Sequence, residues 1–158
     1  MTLASWFKSL FGAPRPAGAP RTVRKFRVAE PTLSRDRIRV VQDAWQVDSS
    51  GNEVFRFFEL ADPQVEHCML AYRAKIKTEG LAGRAFLEMW CRFPGRGEFF
   101  SKGINQTVSG TTDWVSCETP FYLKKGERPD LIQLNIAVEG KGKVLAKDLE
   151  LIATPLEA

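Results

Sequence analysis

The feature that most constrains this chain is a two-residue hydrophobic period that returns in run after run. In residues 66–77, Cys68, Leu70, Tyr72, Ala74 and Ile76 alternate with Met69, Arg73, Lys75 and Lys77. In 83–93, Ala85, Leu87, Met89, Cys91 and Phe93 alternate with Arg84, Phe86, Glu88, Trp90 and Arg92. In 131–138, Ile132, Leu134, Ile136 and Val138 alternate with polar residues that include Gln133 and Asn135. Successive side chains of a strand point to opposite faces, so each run has an apolar side and a polar side. Residues 37–48, 53–61, 112–123 and 143–152 read as further strands, being rich in β-branched and aromatic residues. Turn chemistry separates the runs at Ser49-Ser50-Gly51-Asn52, Ala61-Asp62-Pro63, Gly80, Pro94-Gly95-Arg96-Gly97, 125–129 and Glu139-Gly140-Lys141-Gly142. Short strands at this spacing predict an all-β sandwich or barrel.

That prediction covers 34–155, and the front of the chain reads differently. Leu3, Trp6, Phe7, Leu10 and Phe11 fall at i, i+3, i+4, i+7 and i+8, the stripe of a short amphipathic helix over 1–12. Gly12 and Pro14 stop it. A helix this short is marginal alone in water and needs a surface: a membrane interface, a partner groove or its own domain. Residues 13–33, with Pro14, Pro16, Pro20 and Pro31 among small residues and arginines, read as a flexible basic linker. A chain of 158 residues is one domain with a tail, long enough to bury about 70% of its unfolded surface. Its 11% aromatic content excludes a disordered chain, and no apolar run approaches the roughly 20 residues of a membrane span.

Charge is divided along the same line. Residues 1–40 hold nine basic side chains against Glu30 and Asp36, a net of +7. The rest holds 14 basic and 17 acidic side chains, a net of −3. A basic arm suits lipid headgroups, nucleic acid or an acidic protein, or is simply a solvated tail. Nucleic acid ranks last among the partners, because the folded part has no net basic surface. Cys68, Cys91 and Cys117 are odd in number, widely spaced and set in strand-like runs, where a free cysteine packs as a small hydrophobe. With no convincing leader, this favours a cytoplasmic or membrane-peripheral location, while Ala17-Gly18-Ala19 keeps secretion open as the minority reading.

If the strands share a sheet, their polar sides combine into one surface holding Arg73, Lys75, Glu88, Trp90, Arg92, Gln133 and Asn135. A plain solvent face is lysine, glutamate and threonine; this one sets a large aromatic among arginines and amides. A sugar needs such a set, with a ring for its apolar C–H face and directional groups for its hydroxyls. The alternative is a solvated face whose charges pair across strands. Catalysis finds little support. His67 is the only histidine, which excludes triads and multi-histidine metal sites, and neither a phosphate-binding loop nor a dinucleotide fingerprint is present.

The C-terminal half carries a pattern. Gly110-Thr111-Thr112-Asp113-Trp114, a strand ending Pro120-Phe121, then Leu131-Ile132-Gln133-Leu134-Asn135-Ile136, Gly140-Lys141-Gly142-Lys143-Val144 and Asp148-Leu149-Glu150-Leu151 resemble the galactose-binding-like jelly roll of many carbohydrate-binding modules. The resemblance spans about 37–151 and implies a jelly-roll β-sandwich in which Trp114 closes one end of the core. It implies a Gly-x-Gly turn between the last two strands and a final strand lying next to the first. It also implies a non-catalytic module recognising a glycan or similar polar ligand on the concave face. The site would hold Arg73, Glu88, Trp90, Arg92, Gln133 and Asn135, with Arg96 as an outer contact. Phe99 or Phe100, in a long 94–112 loop, would act as a lid or as a pin to the sandwich. Relatives often hold a structural calcium near their joined termini. Here Asp148 is the one candidate ligand left, and Lys147 stands where a second carboxylate is expected, which weakens the case. The competing reading is a structural or protein-interaction sandwich, tethered to a membrane or partner by the stripe of residues 1–12.

Overall fold

The structure is a computed structural model and describes residues 14–157. It contains nine strands: β1 (Arg21–Lys25), β2 (Arg39–Val41), β3 (Ala44–Ala61), β4 (Cys68–Glu79), β5 (Leu81–Phe93), β6 (Gly97–Lys102), β7 (Val108–Gly110), β8 (Val115–Tyr122) and β9 (Leu131–Pro155). Every pairing is antiparallel. The stripe assigned to 1–12 lies outside the described residues.

Two long strands organise the sandwich. β3 and β9 pair from Trp45↔Ala146 to Ala61↔Leu131. On its other side β9 has β5 as neighbour over 131–139 and β4 over 143–155. The strands therefore pass from one layer to the other as a pair. The first layer is the latter part of β3, the first part of β9, then β5 with β6 and β7. The second layer is β2, the start of β3, the end of β9, β4 and β8, with β1 beside β9 at one end. The passage requires glycine. A Cβ on Gly83 would sit 1.6 Å from the Glu139 carbonyl oxygen, and one on Gly142 would sit 2.6 Å from Leu81 Cα.

The alternation read from the sequence does fill the space between the layers. Leu70, Tyr72, Ile76, Leu87, Met89, Ile132, Leu134 and Ile136 are all fully buried, each contributing about 1.5–3 kcal/mol by area. At one end Trp45 meets Phe57 and Phe58 edge-on, at 5.9 and 5.7 Å between ring centroids. Phe26 stacks on Phe58 at 4.3 Å.

Several readings of the sequence are corrected. Ser49–Asn52 and Glu139–Gly142 are not turns but bends inside β3 and β9, so the expected Gly-x-Gly turn does not link two strands. The glycines there serve layer crossing and close backbone approach. Within the stretch read as a linker, 21–25 forms β1 on β9 and Phe26 is buried. The 94–112 loop contains β6 and β7. Trp114 is not core: it is half-buried, with Lys147 Nζ 4.3 Å from its ring centroid. The tryptophan that fills the core is Trp45. The pairing of β1 with β9 does join the two ends of the described chain.

Candidate functional site

The outer face of the first layer is a grid fixed by strand register. One row runs Arg56, Asn135, Glu88, Lys102 across β3, β9, β5 and β6. The next runs Glu59, Gln133, Trp90, Phe100, and the third Ala61, Leu131, Arg92, Glu98. Five of the residues expected to share a surface do so: Glu88, Trp90, Arg92, Gln133 and Asn135. Arg56, Trp90, Arg92, Glu98, Leu131 and Gln133 line a hollow of about 180 Å³ there.

Beneath the hollow lies a set of buried polar groups. Glu88 is only 4% exposed, and its Oε1 accepts from Trp90 Nε1 at 2.8 Å and from Asn135 Nδ2 at 3.2 Å. Asn135 Nδ2 also lies 3.5 Å from Gln133 Oε1. Asn135 is 1% exposed, and its Oδ1, like Trp45 Nε1 and Tyr72 Oη in the core, has no partner among the described residues. The carboxylate thus holds the indole by its N–H edge. Phe100 lies beside Trp90, with ring centroids 5.4 Å apart, and is 54% exposed. Lys102 Nζ stands 5.3 Å from the Phe100 ring centroid. Arg92 is held by Asp130 through two bonds, Nε to Oδ1 at 2.9 Å and Nη2 to Oδ2 at 3.3 Å. That pairing raises the Arg92 pKa above its ordinary value. Arg56 has no ion pair among the described residues; its backbone N–H donates to Ser34 Oγ at 3.1 Å and its carbonyl accepts from the Ser34 N–H at 2.9 Å.

Two expected site residues lie elsewhere. Arg73 is on β4 in the second layer, where its Nε donates to Glu118 Oε1 at 2.8 Å. It lines a separate hollow of about 280 Å³ with Lys75, Gln106, Glu118, Asp148 and Glu150. The polar sides of β4 and β5 share a period but not a sheet, and that is why grouping them failed. Arg96 turns away over Phe93 and pairs with Glu127 at 3.3 Å. Asp148 sits at φ 55° beside a β-bulge, 3.7 Å from Lys75 Nζ. Among the described residues no three acids, histidines or cysteines group as a metal site. The sequence reading missed Arg56, and it set Phe100 in the 94–112 loop as a lid or a pin rather than on a strand beside Trp90. Glu98 and Phe100 fell in a stretch whose Pro94 and Gly95 marked it as loop. Arg56 precedes a bulge at Phe57 that breaks the alternation of β3.

A two-layer antiparallel sandwich with strands shared between layers, and an aromatic and polar hollow on one outer face, is a jelly-roll scaffold. No protein-family model matches the chain, and no curated protein matches it. Solved structures do. The CBM22-1 xylan-binding domain of Paenibacillus barcinonensis Xyn10C superposes with a TM-score of 0.52 at 12% identity, over 88% of this chain and 98% of that one. A CBM4 structure gives 0.53 at 11% identity, over 82% and 85%. The fold is the jelly-roll β-sandwich of the carbohydrate-binding modules.

Proposed function

We propose that this protein is a non-catalytic carbohydrate-binding module whose site is the outer face of the first layer. The observation that carries the reading is the Trp90–Phe100 ring pair beside a hollow of directional polar groups. Buried Glu88 holds the indole by its N–H edge, a contact that leaves both ring faces free of the carboxylate and suited to stacking on the C–H surface of a sugar. Gln133 and Arg56 stand at the rim to bond hydroxyls, with Glu98 as an acceptor. Arg92 shapes the wall through Asp130 rather than reaching for the ligand. Similarity to a xylan-binding domain supports a glycan over other polar ligands.

The test is an array of neutral and acidic oligosaccharides, xylan fragments included, probed with the full chain and its Trp90→Ala variant. Retention by the wild type that disappears in the variant supports the reading. A folded wild-type protein that binds no glycan overturns it.

A further inference from the structure

One side of the sandwich is closed by residues 21–41. β1 runs along β9, and the Phe26 N–H then donates to the Leu149 carbonyl at 2.9 Å. The segment crosses to the other layer, where the N–H groups of Leu33 and Ser34 donate to the Phe57 and Arg56 carbonyls at 3.0 and 2.9 Å. It returns as β2 against the start of β3. Phe26 and Ile38 are buried and pin this wall to the core.

The surface of the wall is basic and apolar together. Its sequence has seven cations and two acids, Glu30 and Asp36. Arg24, Arg37 and Arg39 are engaged with Glu30, Glu53 and Asp48. Arg21, Lys25, Arg27 and Arg35 are exposed and have no ion pair among the described residues, although Glu150 stands opposite Lys25 in the register. Leu33, Val40 and Val41 lie on the same wall at 43%, 54% and 38% exposure. They are three of the eight large hydrophobics exposed among the described residues, and in β2 the alternation sets Val40 and Val41 on opposite sides of the strand, so the segment shows aliphatic side chains in more than one direction.

We propose that this wall docks the protein on an anionic lipid surface. Unpaired cations bring the wall to the headgroups, and exposed aliphatic side chains of the same segment enter the headgroup and acyl boundary. A phosphate backbone would use the cations and leave Leu33, Val40 and Val41 in water, so lipid fits the whole patch and nucleic acid only half of it. The sequence leading into the wall agrees: residues 1–29 contain no acid, and they include Trp6, Phe7, Lys8 and Phe11. The wall lies along the strand edges of both layers, whereas the hollow opens on the outer face of one layer. Trp90, on β5, is separated from the wall by β3 and β9.

The experiment is co-sedimentation of the full chain with phosphatidylcholine vesicles, with and without about a third phosphatidylserine, at low and physiological salt. Two variants accompany it: Arg21→Glu/Arg27→Glu/Arg35→Glu and Leu33→Ser/Val40→Ser. None of these five side chains makes a hydrogen bond or ion pair among the described residues, so unfolding temperatures should match the wild type and confirm intact folds. The wild type should bind only the anionic vesicles. The charge variant should lose on the order of a hundredfold in partitioning, from about fivefold per basic residue. The serine variant should lose vesicle binding while keeping its retention on heparin. Absence of binding to anionic vesicles at low salt overturns the proposal. So does equal binding by wild type and charge variant, which would place any docking outside this wall. Vesicle binding unchanged in the serine variant also overturns it, since the wall would then be a general polyanion surface.

Discussion

The two outer faces of the sandwich are built from the same residue types and end in opposite states. On the second layer, Arg73 meets Glu118, Lys75 meets Asp148 and Lys147 covers the Trp114 ring. On the first layer the carboxylate goes underneath: Glu88 is buried and bonds Trp90 and Asn135. The indole, Phe100, Gln133 and Arg56 are left facing outward. An arginine and a glutamate thus line either a hollow whose charges pair with each other or one with an aromatic pair at its side. Register decides which, by setting who stands opposite whom. Residue type alone does not mark a binding face; the state of its partners does.

The largest effect should come from removing the junction that both faces share. Gly83→Ala forces a Cβ against the Glu139 carbonyl, and denaturant unfolding should show a loss of about 3 kcal/mol or more. Such a variant should disturb both faces at once. A loss below about 1 kcal/mol would mean the β4–β5 hairpin can lift off β9 cheaply. Next in size is the contrast between the two outer tryptophans. Trp90→Ala should weaken glycan binding by about thirtyfold or more, as for a central aromatic anchor, measured by affinity electrophoresis. Trp114→Ala should leave it within about twofold. Equal losses would erase the distinction between the faces.

Glu88→Gln sharpens the comparison further. It keeps an acceptor for Trp90 Nε1, so affinity should fall less than in Trp90→Ala, and Glu88→Ala should fall closer to it. Titration calorimetry on the three variants gives the order, and identical values for Gln and Ala would show that the indole needs no support. The smallest effects belong to the closed pairs. Glu118→Ala should change stability by no more than about 1 kcal/mol and binding not at all. The Arg37–Glu53 pair on the side wall adds a pH signature. The hydrogen bond from Arg37 lowers the Glu53 pKa, so its stabilisation is present above the unfolded carboxylate value and is lost as pH falls through the folded one. The melting-temperature difference between wild type and Arg37→Gln should be small at neutral pH and vanish in acid. A difference persisting well below the usual carboxylate range would assign the effect to packing of Arg37 on Phe55 instead.

Much of the fold was legible because a strand's period is local. Leu70, Leu87 and Ile132 announce their inward direction through their own neighbours in sequence. What was not legible is non-local. Gly51 and Gly140 look like turn residues, and only the unbroken pairing of β3 with β9 shows that the chain continues through them. Five of the residues expected to share a surface do so because β5 and β9 are adjacent and their outward positions coincide in register. Arg73 was misplaced because periodicity tells which side of a strand faces out, and not which sheet the strand joins. The strand positions of Phe100 and Glu98 were hidden by the Pro94-Gly95 turn, which resembles the start of a loop and is instead the tip of a hairpin.

The shared strands have a consequence for how the molecule opens. In a sandwich whose layers are linked only by loops, the layers can separate as two plates once the core loosens. Here β3 and β9 belong to both, so peeling one layer away means breaking a ladder that continues into the other. Amide hydrogens along β9 should therefore be among the slowest to exchange for deuterium, and with a single protection level on either side of Gly140. The hinge by sequence is the spine by mechanics.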